Sequence, residues 1–520
     1  MKARSRLIYW LFVLLLALFS GYIILNATAQ YGVGLSEDSV VYIAAAENLA
    51  AGNGYLSNDS TPITLWPPLY PAMMAFFVRF FDVDVLVVAR VLNVALAVLV
   101  VGLTGVYARQ LGLGSIPALG AVAMTTWAYP LLAVRIMAWT EPLFIFLVLL
   151  ALVALTHFLT RQSLWALALF AIAAALAGAT RFIGVVLIPV GVIVFLFASK
   201  YRWPARLATA AVLALSIFLP VALVLARNWR VTGSLMGPRH PPTILLIDSV
   251  QATANTMAGW FLPSSFTDRG FVVLVGVLLL QLVGAAIILT VASRQERADR
   301  TLHRYAPAVL FILFYITLLL VSSATTTVDI ISDRLMIPVF VPLMLIVFGS
   351  VSIILNALAK HFGHTTVHLA ASIVLLLLLA WPLRVGVLGM RHWHNNGEGF
   401  SAAVWEKNET LRYLKDNPSV LDERVIYSNY HSLIYTHFRK PVNVLPYHYY
   451  VGSTRELRTT ESLRGKWPSG EAIVIWFNWA EWKTYLFRPD ELGAISHMTE
   501  IVVTADGSIW EASPLPPNTQ

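Results

Sequence analysis

Stretches of roughly 17–25 apolar residues, long enough to cross a bilayer as a helix, recur along the chain from residue 8 to about residue 386. No other feature constrains the fold as much. Inside lipid every backbone N–H and C=O must be paired within the protein, and a helix is how one apolar run achieves this alone. The runs fall near 8–28, 84–106, 115–131, 142–159, 164–180, 182–199, 206–226, 270–292, 305–323, 334–357 and 367–386, about eleven in all. The first is preceded by Lys2, Arg4 and Arg6 and followed by Ala27-Thr28-Ala29, which imitates a cleaved leader. Its apolar stretch exceeds the roughly 7–15 residues of a leader core, so it reads as a retained span with its N-terminus inside. Only 12% of the 520 residues are charged, against about 25% in soluble domains. That excludes a soluble enzyme, a disordered chain and a fibrous one. There is no cysteine, hence no disulfide, zinc-thiolate site or thiol nucleophile.

The formal net charge of +8 comes from basic residues at the ends of apolar runs, where they orient spans, so no nucleic-acid partner is implied. Counting alternately from an inside N-terminus, the inside loops hold Arg109, Arg161, Lys200, Arg202, Arg206, Arg294, Arg297, Arg300, Arg304 and Lys360. An odd number of spans then places residues 387–520 outside, together with the long connections 29–83 and 227–269. The tail has ordinary soluble composition. It carries a helical stretch at 401–416 and β-type runs at Arg424-Val425-Ile426-Tyr427 and Ala472-Ile473-Val474-Ile475-Trp476-Phe477. Strands alternating with helices predict a small α/β unit, and about 130 residues suffice for a core. The expected fold is therefore mainly α: a polytopic helical bundle over 1–386, then an extracytoplasmic α/β domain over 387–520. No solenoid or propeller period is visible, nor two similar halves of the transporter kind.

The first outside loop is the most informative. Gly34-Leu35-Ser36-Glu37-Asp38-Ser39-Val40-Val41-Tyr42, followed by Ala44 to Ala51 and Gly52-Asn53-Gly54-Tyr55, reads as a helix entered at Ser36 and stopped at Gly52. Asp38 and Tyr42, four apart, share a face, although two acids in a first turn also simply complement the helix dipole. Thr64-Leu65-Trp66-Pro67-Pro68-Leu69-Tyr70-Pro71 then leads into an amphipathic segment, Ala72 to Phe81, suited to the membrane interface. Glu141 lies just ahead of Pro142, where an acid can do no more than suit a helix N-terminus, but a carboxylate at a span edge is also a functional candidate. Arg181, Arg239 and Arg334 fall outside, against the positive-inside trend. Each is either a ligand for an anion or a side chain snorkelling to headgroups. Arg135, beside Trp139, and Arg227 and Arg230 read as interfacial, and so do His392 and His394. The aromatic clusters Trp476-Phe477-Asn478-Trp479 and Pro446-Tyr447-His448-Tyr449-Tyr450 suit either sugar stacking or a half-buried β surface.

The order of first span, acid, Tyr, Ala-rich helix, Gly-x-Gly-Tyr and Trp-Pro-Pro-Leu-Tyr-Pro resembles the integral-membrane C-type glycosyltransferases (GT-C). The nearest group is the protein-mannosyltransferase-like family 39, which includes the lipid A aminoarabinose transferases. Thr140-Glu141-Pro142-Leu143-Phe144, Thr180-Arg181-Phe182-Ile183-Gly184 and Asp333-Arg334-Leu335-Met336-Ile337-Pro338 resemble its later motifs more loosely.

The resemblance implies an inverting glycosyltransferase of the inner (plasma) membrane, hexosyl or pentosyl. It would pass a sugar from a polyprenyl-phosphate carrier to a glycan, lipid or protein acceptor on the extracytoplasmic face. In it Asp38 is the expected general base, with Glu37 its rival by one residue and Glu141 a second acid of the same cavity. Arg181, Arg239 and Arg334 are expected to hold the departing phosphate, with Tyr42 and Tyr70 as substrate contacts. No cofactor is expected, and no metal either, since Asp38 and Glu141 alone are not an oxygen cage. The competing readings are a transporter or flippase and a non-catalytic glycan-assembly protein of the same fold.

Overall fold

The computed structural model describes residues 2–237, 239, 241–242, 244–261, 269–292, 296–326, 329–449, 457–480 and 482–515. Arg294 and Tyr450, which figured in the sequence reading, lie outside the described residues. Fifteen helices come first: α1 (Lys2–Ala27), α2 (Glu37–Ala51), α3 (Leu69–Phe81), α4 (Val85–Gln110), α5 (Ser115–Trp127), α6 (Tyr129–Ile136), α7 (Glu141–Arg161), α8 (Leu164–Thr180), α9 (Leu187–Ala198), α10 (Trp203–Thr232), α11 (Leu246–Gly259), α12 (Arg269–Ala292), α13 (Glu296–Thr325), α14 (Asp333–Phe362) and α15 (His364–Asn396). A helix lies on each of the eleven apolar runs. Among the described residues six, in α1, α4, α7, α10, α13 and α14, are each long and apolar enough to cross a membrane. The chain is a multi-pass membrane protein.

The run at 115–131 is a broken element, with α5 and α6 meeting at 43°. Pro130 near the start of α6 explains the break: it lacks an N–H for the carbonyl four residues back and its ring would clash there, and the chain turns extended at Ala128 (φ −60°, ψ 122°) before α6 begins. The break strands carbonyls at the end of α5, and Arg135 answers one of them, donating from Nη1 to Thr125 O at 2.9 Å. Its side chain is buried, which corrects the interfacial reading. A guanidinium at a helix C-terminus is placed where the dipole favours a cation. Arg227 is likewise no free anchor. Its guanidinium donates to the backbone carbonyls of Tyr55 (3.2 Å) and Ile63 and lies over the Tyr55 ring, tying the first long loop to the end of α10.

Between α1 and α4 that loop forms α2 and α3. Ser36 caps α2, its Oγ accepting from Ser39 N–H, and Gly52 ends it in a left-handed conformation (φ 84°) that suits glycine. The Tyr42 ring packs edge-on against Trp66 and Tyr70, fixing α3 against α2. Phe76, Phe80 and Phe81 of α3 stay exposed.

After α15 the chain forms α16 (Glu409–Asp416), β1 (Val425–Ser428), α17 (His431–Phe438), β2 (Asn443–Val444), β3 (Ala472–Phe477), β4 (Ser496–Thr504) and β5 (Gly507–Pro514). The sheet order is β2-β1-β3-β5-β4, parallel among β2, β1 and β3, with β5 antiparallel to both of its neighbours, β3 and β4. The stretch 401–416 is not one helix. A 3-10 turn, Ala403–Lys407, is cut off where Asn408 caps α16 by accepting from Leu411 N–H. Strand β3 is central and buried on both faces, so Trp476 and Phe477 belong to the core.

The sheet region docks on the 29–83 loop. Phe400 N–H donates to Leu35 O at 2.7 Å, Val442 N–H to Asn58 O at 3.3 Å, and the Tyr435 hydroxyl to Glu47 Oε2 at 2.6 Å.

Candidate active site

Four elements meet at one carboxylate. Glu141 opens α7 and is almost wholly buried. Arg181 follows α8 on extended backbone, then a 3-10 turn runs from Phe182 to Val186. Gly184 makes that turn possible: a Cβ there would stand 2.6 Å from the backbone of Ala177 and Gly178. Arg334 is the second residue of α14, whose N-cap is Ser332. Asp38 is in the first turn of α2.

Arg334 donates from Nη2 to Asp38 Oδ2 at 2.5 Å and from Nε to Glu141 Oε1 at 2.8 Å. Arg181 donates from Nη1 to the same Glu141 oxygen at 2.5 Å and to Thr140 Oγ1 at 3.0 Å. The Arg334 guanidinium lies 4.2 Å from the ring centre of Trp139, whose indole N–H donates to Ser36 Oγ at 2.8 Å. Burying one carboxylate with two guanidiniums is stable because each charge keeps a partner. The planar guanidinium fork lets Arg334 hold two acids and still stack on an indole. Glu141 is therefore an anchor that orients both arginines.

Asp38 differs. Its carboxyl is pushed above the ordinary aspartate range by burial, which outweighs the opposing pull of Arg334. With Arg181, Arg239, Arg334 and Asp329 it lines a cavity of about 590 Å³ whose remaining wall is largely apolar, including Leu65, Trp66 and Leu319. The volume lies within the roughly 300–1,000 Å³ of small-molecule sites. Of the eight residues singled out from the sequence, four thus line the cavity and Glu141 stands directly behind it. Tyr42 and Tyr70 are fully buried against each other, their hydroxyls without a hydrogen-bond partner among the described residues. Burial raises both phenols, and the nearby acids raise them further.

Glu37 faces elsewhere. Its Oε1 accepts from Lys483 Nζ at 2.6 Å, a lysine of the sheet region that is only 3% exposed. Partial burial pushes the Glu37 carboxyl up, but the ammonium more than offsets this and holds it below its ordinary value. The sequence pointed to Trp139 only as a neighbour of Arg135, and to Asp329 and Lys483 not at all. Trp139 directly precedes the Thr140-Glu141 motif and could have been included with it, whereas Lys483 carries no local signal. His394 Nδ1 lies 2.8 Å from Asn26 O, tying α15 to the end of α1. Among the described residues no cluster of three or more His, Asp or Glu is set to hold a metal ion.

No family model matches the sequence, and no curated protein matches it. Among solved structures it matches ArnT from Cupriavidus metallidurans in the apo state, with a TM-score of 0.54, 13% identity and 98% of each chain covered. It also matches the same protein bound to undecaprenyl phosphate, with a TM-score of 0.55, 14% identity, and 95% of this chain and 97% of that chain covered. The chain has the GT-C fold.

Proposed function

We propose that the chain is a membrane glycosyltransferase that moves a sugar from a polyprenyl-phosphate carrier to an acceptor hydroxyl on the extracytoplasmic face, with inversion. The observation that carries this reading is the Asp38–Arg334–Glu141–Arg181 cluster at the charged end of a cavity with an apolar wall. Such a cavity matches a lipid phosphate in both its parts, and a protein of the same fold is found with undecaprenyl phosphate bound.

In this reading the acceptor oxygen attacks the anomeric carbon from the face opposite the phosphate. Its proton passes to Asp38, the bond from carbon to phosphate oxygen breaks, and the electron pair leaves with the polyprenyl phosphate. Arg181 and Arg334, each about a fifth exposed, meet the growing negative charge as pre-oriented donors, and Arg239 adds a third cation. Glu141 takes no proton; it keeps the two guanidiniums aimed. All these groups are the chain's own.

The test is binding of undecaprenyl phosphate to the full chain in lipid nanodiscs. Arg181→Ala and Arg334→Ala should each weaken it at least tenfold, and the lysine variants should restore it only in part, since lysine keeps the charge without the fork. Unchanged binding in both alanine variants would overturn the reading.

A further inference from the structure

On the other side of the Trp139–Arg334 stack lies a second cavity, of about 460 Å³, between the transmembrane bundle and the sheet region. Glu37 and Glu398 reach it from two sides, and Trp139, Tyr430 and Trp482 wall it. It adjoins the candidate active site through two consecutive residues: Asp38 lines the first cavity and Glu37 the second.

Both carboxylates are oriented by fixed donors. Lys483 Nζ holds Glu37 Oε1 at 2.6 Å, and the Trp393 indole N–H holds Glu398 Oε2 at 2.9 Å. Each acid keeps a second oxygen as an acceptor. Two acids do not welcome a phosphate, so this cavity differs in kind from the first. Aromatic rings beside carboxylates would also suit an ammonium ligand. Here, however, that seat is filled from within, because Lys483 Nζ sits 4.6 Å from the centre of the Tyr430 ring. What the walls still offer is aromatic surface, with Trp482 65% exposed, and hydrogen-bond acceptors at the rim. That combination suits a ring with C–H faces and O–H groups at its edge.

We infer that this second cavity is the acceptor subsite and that it takes a saccharide, with Trp482 as the stacking platform and Glu37 and Glu398 accepting from ring hydroxyls. The role as acceptor rests on the transferase reading above; the saccharide chemistry does not. A sugar seated at Glu37 lies one residue along α2 from Asp38, beside the candidate base. Glu37 then belongs to acceptor binding, and proton removal stays with its neighbour.

Saturation-transfer-difference NMR on the full chain in nanodiscs tests this, with methyl glucopyranoside, galactopyranoside and mannopyranoside as probes. At least one should receive saturation through its C–H face. The effect should fall severalfold in Trp482→Ala, a largely exposed ring that meets Tyr485 edge-on and the Lys483 ammonium at 5.5 Å, and in Glu398→Gln. Undecaprenyl phosphate, the second probe, should not displace the sugar. The inference is overturned if no glycoside receives saturation, if the signal persists in both variants, or if undecaprenyl phosphate displaces it, which would make the cavity part of the carrier's site. Displacement by tetramethylammonium would reassign it to an amine. Failure of undecaprenyl phosphate to bind, with glycoside binding intact, would count against the carrier reading alone.

Discussion

Asp38 and Glu37 are neighbours in sequence and roughly 100° apart around α2, and this rotation alone sends them to different partners. If Asp38 is the base, Asp38→Asn removes the proton acceptor while keeping shape. Transfer should drop by about 10²–10⁴-fold, and Glu37→Gln should cost far less in kcat. A full loss in Glu37→Gln with an active Asp38→Asn would reassign the base. The pH profile gives an independent check. Burial raises the Asp38 carboxyl and Arg334 opposes the rise, so the acidic limb of kcat/KM should lie above the ordinary aspartate range. Removing the cation in Arg334→Gln should move that limb further up, because the charged carboxylate loses its stabilising partner. A limb that stays put would mean that another group titrates. Sequence reached this site only in part, for a physical reason. Helical spacing places Asp38 and Tyr42 on one face, but the contact with Arg334 spans 296 positions and depends on how helices pack. Whether Glu141 only complements a helix dipole or binds arginines was equally invisible until α8 and α14 were set beside α7.

At the scale of elements, local chemistry was legible wherever the chain decides locally. Ser36 and Gly52 bound α2 as a cap and a left-handed stop, and the strands at 425 and 472 fall where alternation with helices put them. Legibility failed where an interruption needed weighing against a strong apolar or helical pattern. Pro130 breaks the third run, and Asn408 splits the 401–416 stretch by competing for a backbone N–H. The tie between the sheet region and the first turn of α2 was the least legible of all, since it runs through Lys483, far along the chain from Glu37. Lys483 Nζ also donates to Asn429 O at 3.1 Å, so it links the segment after β1 to the first turn of α2, one residue from Asp38. Lys483→Met keeps most of the stem and removes the charge. We expect faster backbone hydrogen exchange over residues 36–42 and a lower kcat, with undecaprenyl phosphate affinity unchanged. Unaltered exchange there would show that Lys483 does not hold the first turn of α2 in place.

For the whole molecule, the contacts of the tail with the 29–83 loop settle a relation that charge counting addresses only indirectly. Leu35, Glu37, Glu47 and Asn58 all pair with residues beyond 398, so the loop and the sheet region share one side of the bundle. The absolute direction is an expectation drawn from the basic residues of the loops read as inside. Together these make a strict prediction: a topology reporter fused after residue 520 and one inserted in the exposed turn at 52–54 must report the same side. That side should be extracytoplasmic, and a reporter at 304 should be cytoplasmic. Two outcomes are separable. Opposite answers from the first two reporters would contradict the packing of the tail on the loop, and with it the placement of Lys483 beside Glu37. A shared cytoplasmic answer would leave that packing intact but invert the molecule. The cavity beneath Asp38 would then open to the wrong compartment for an acceptor outside the cell, and the proposed transfer would fail although every contact in the site survived.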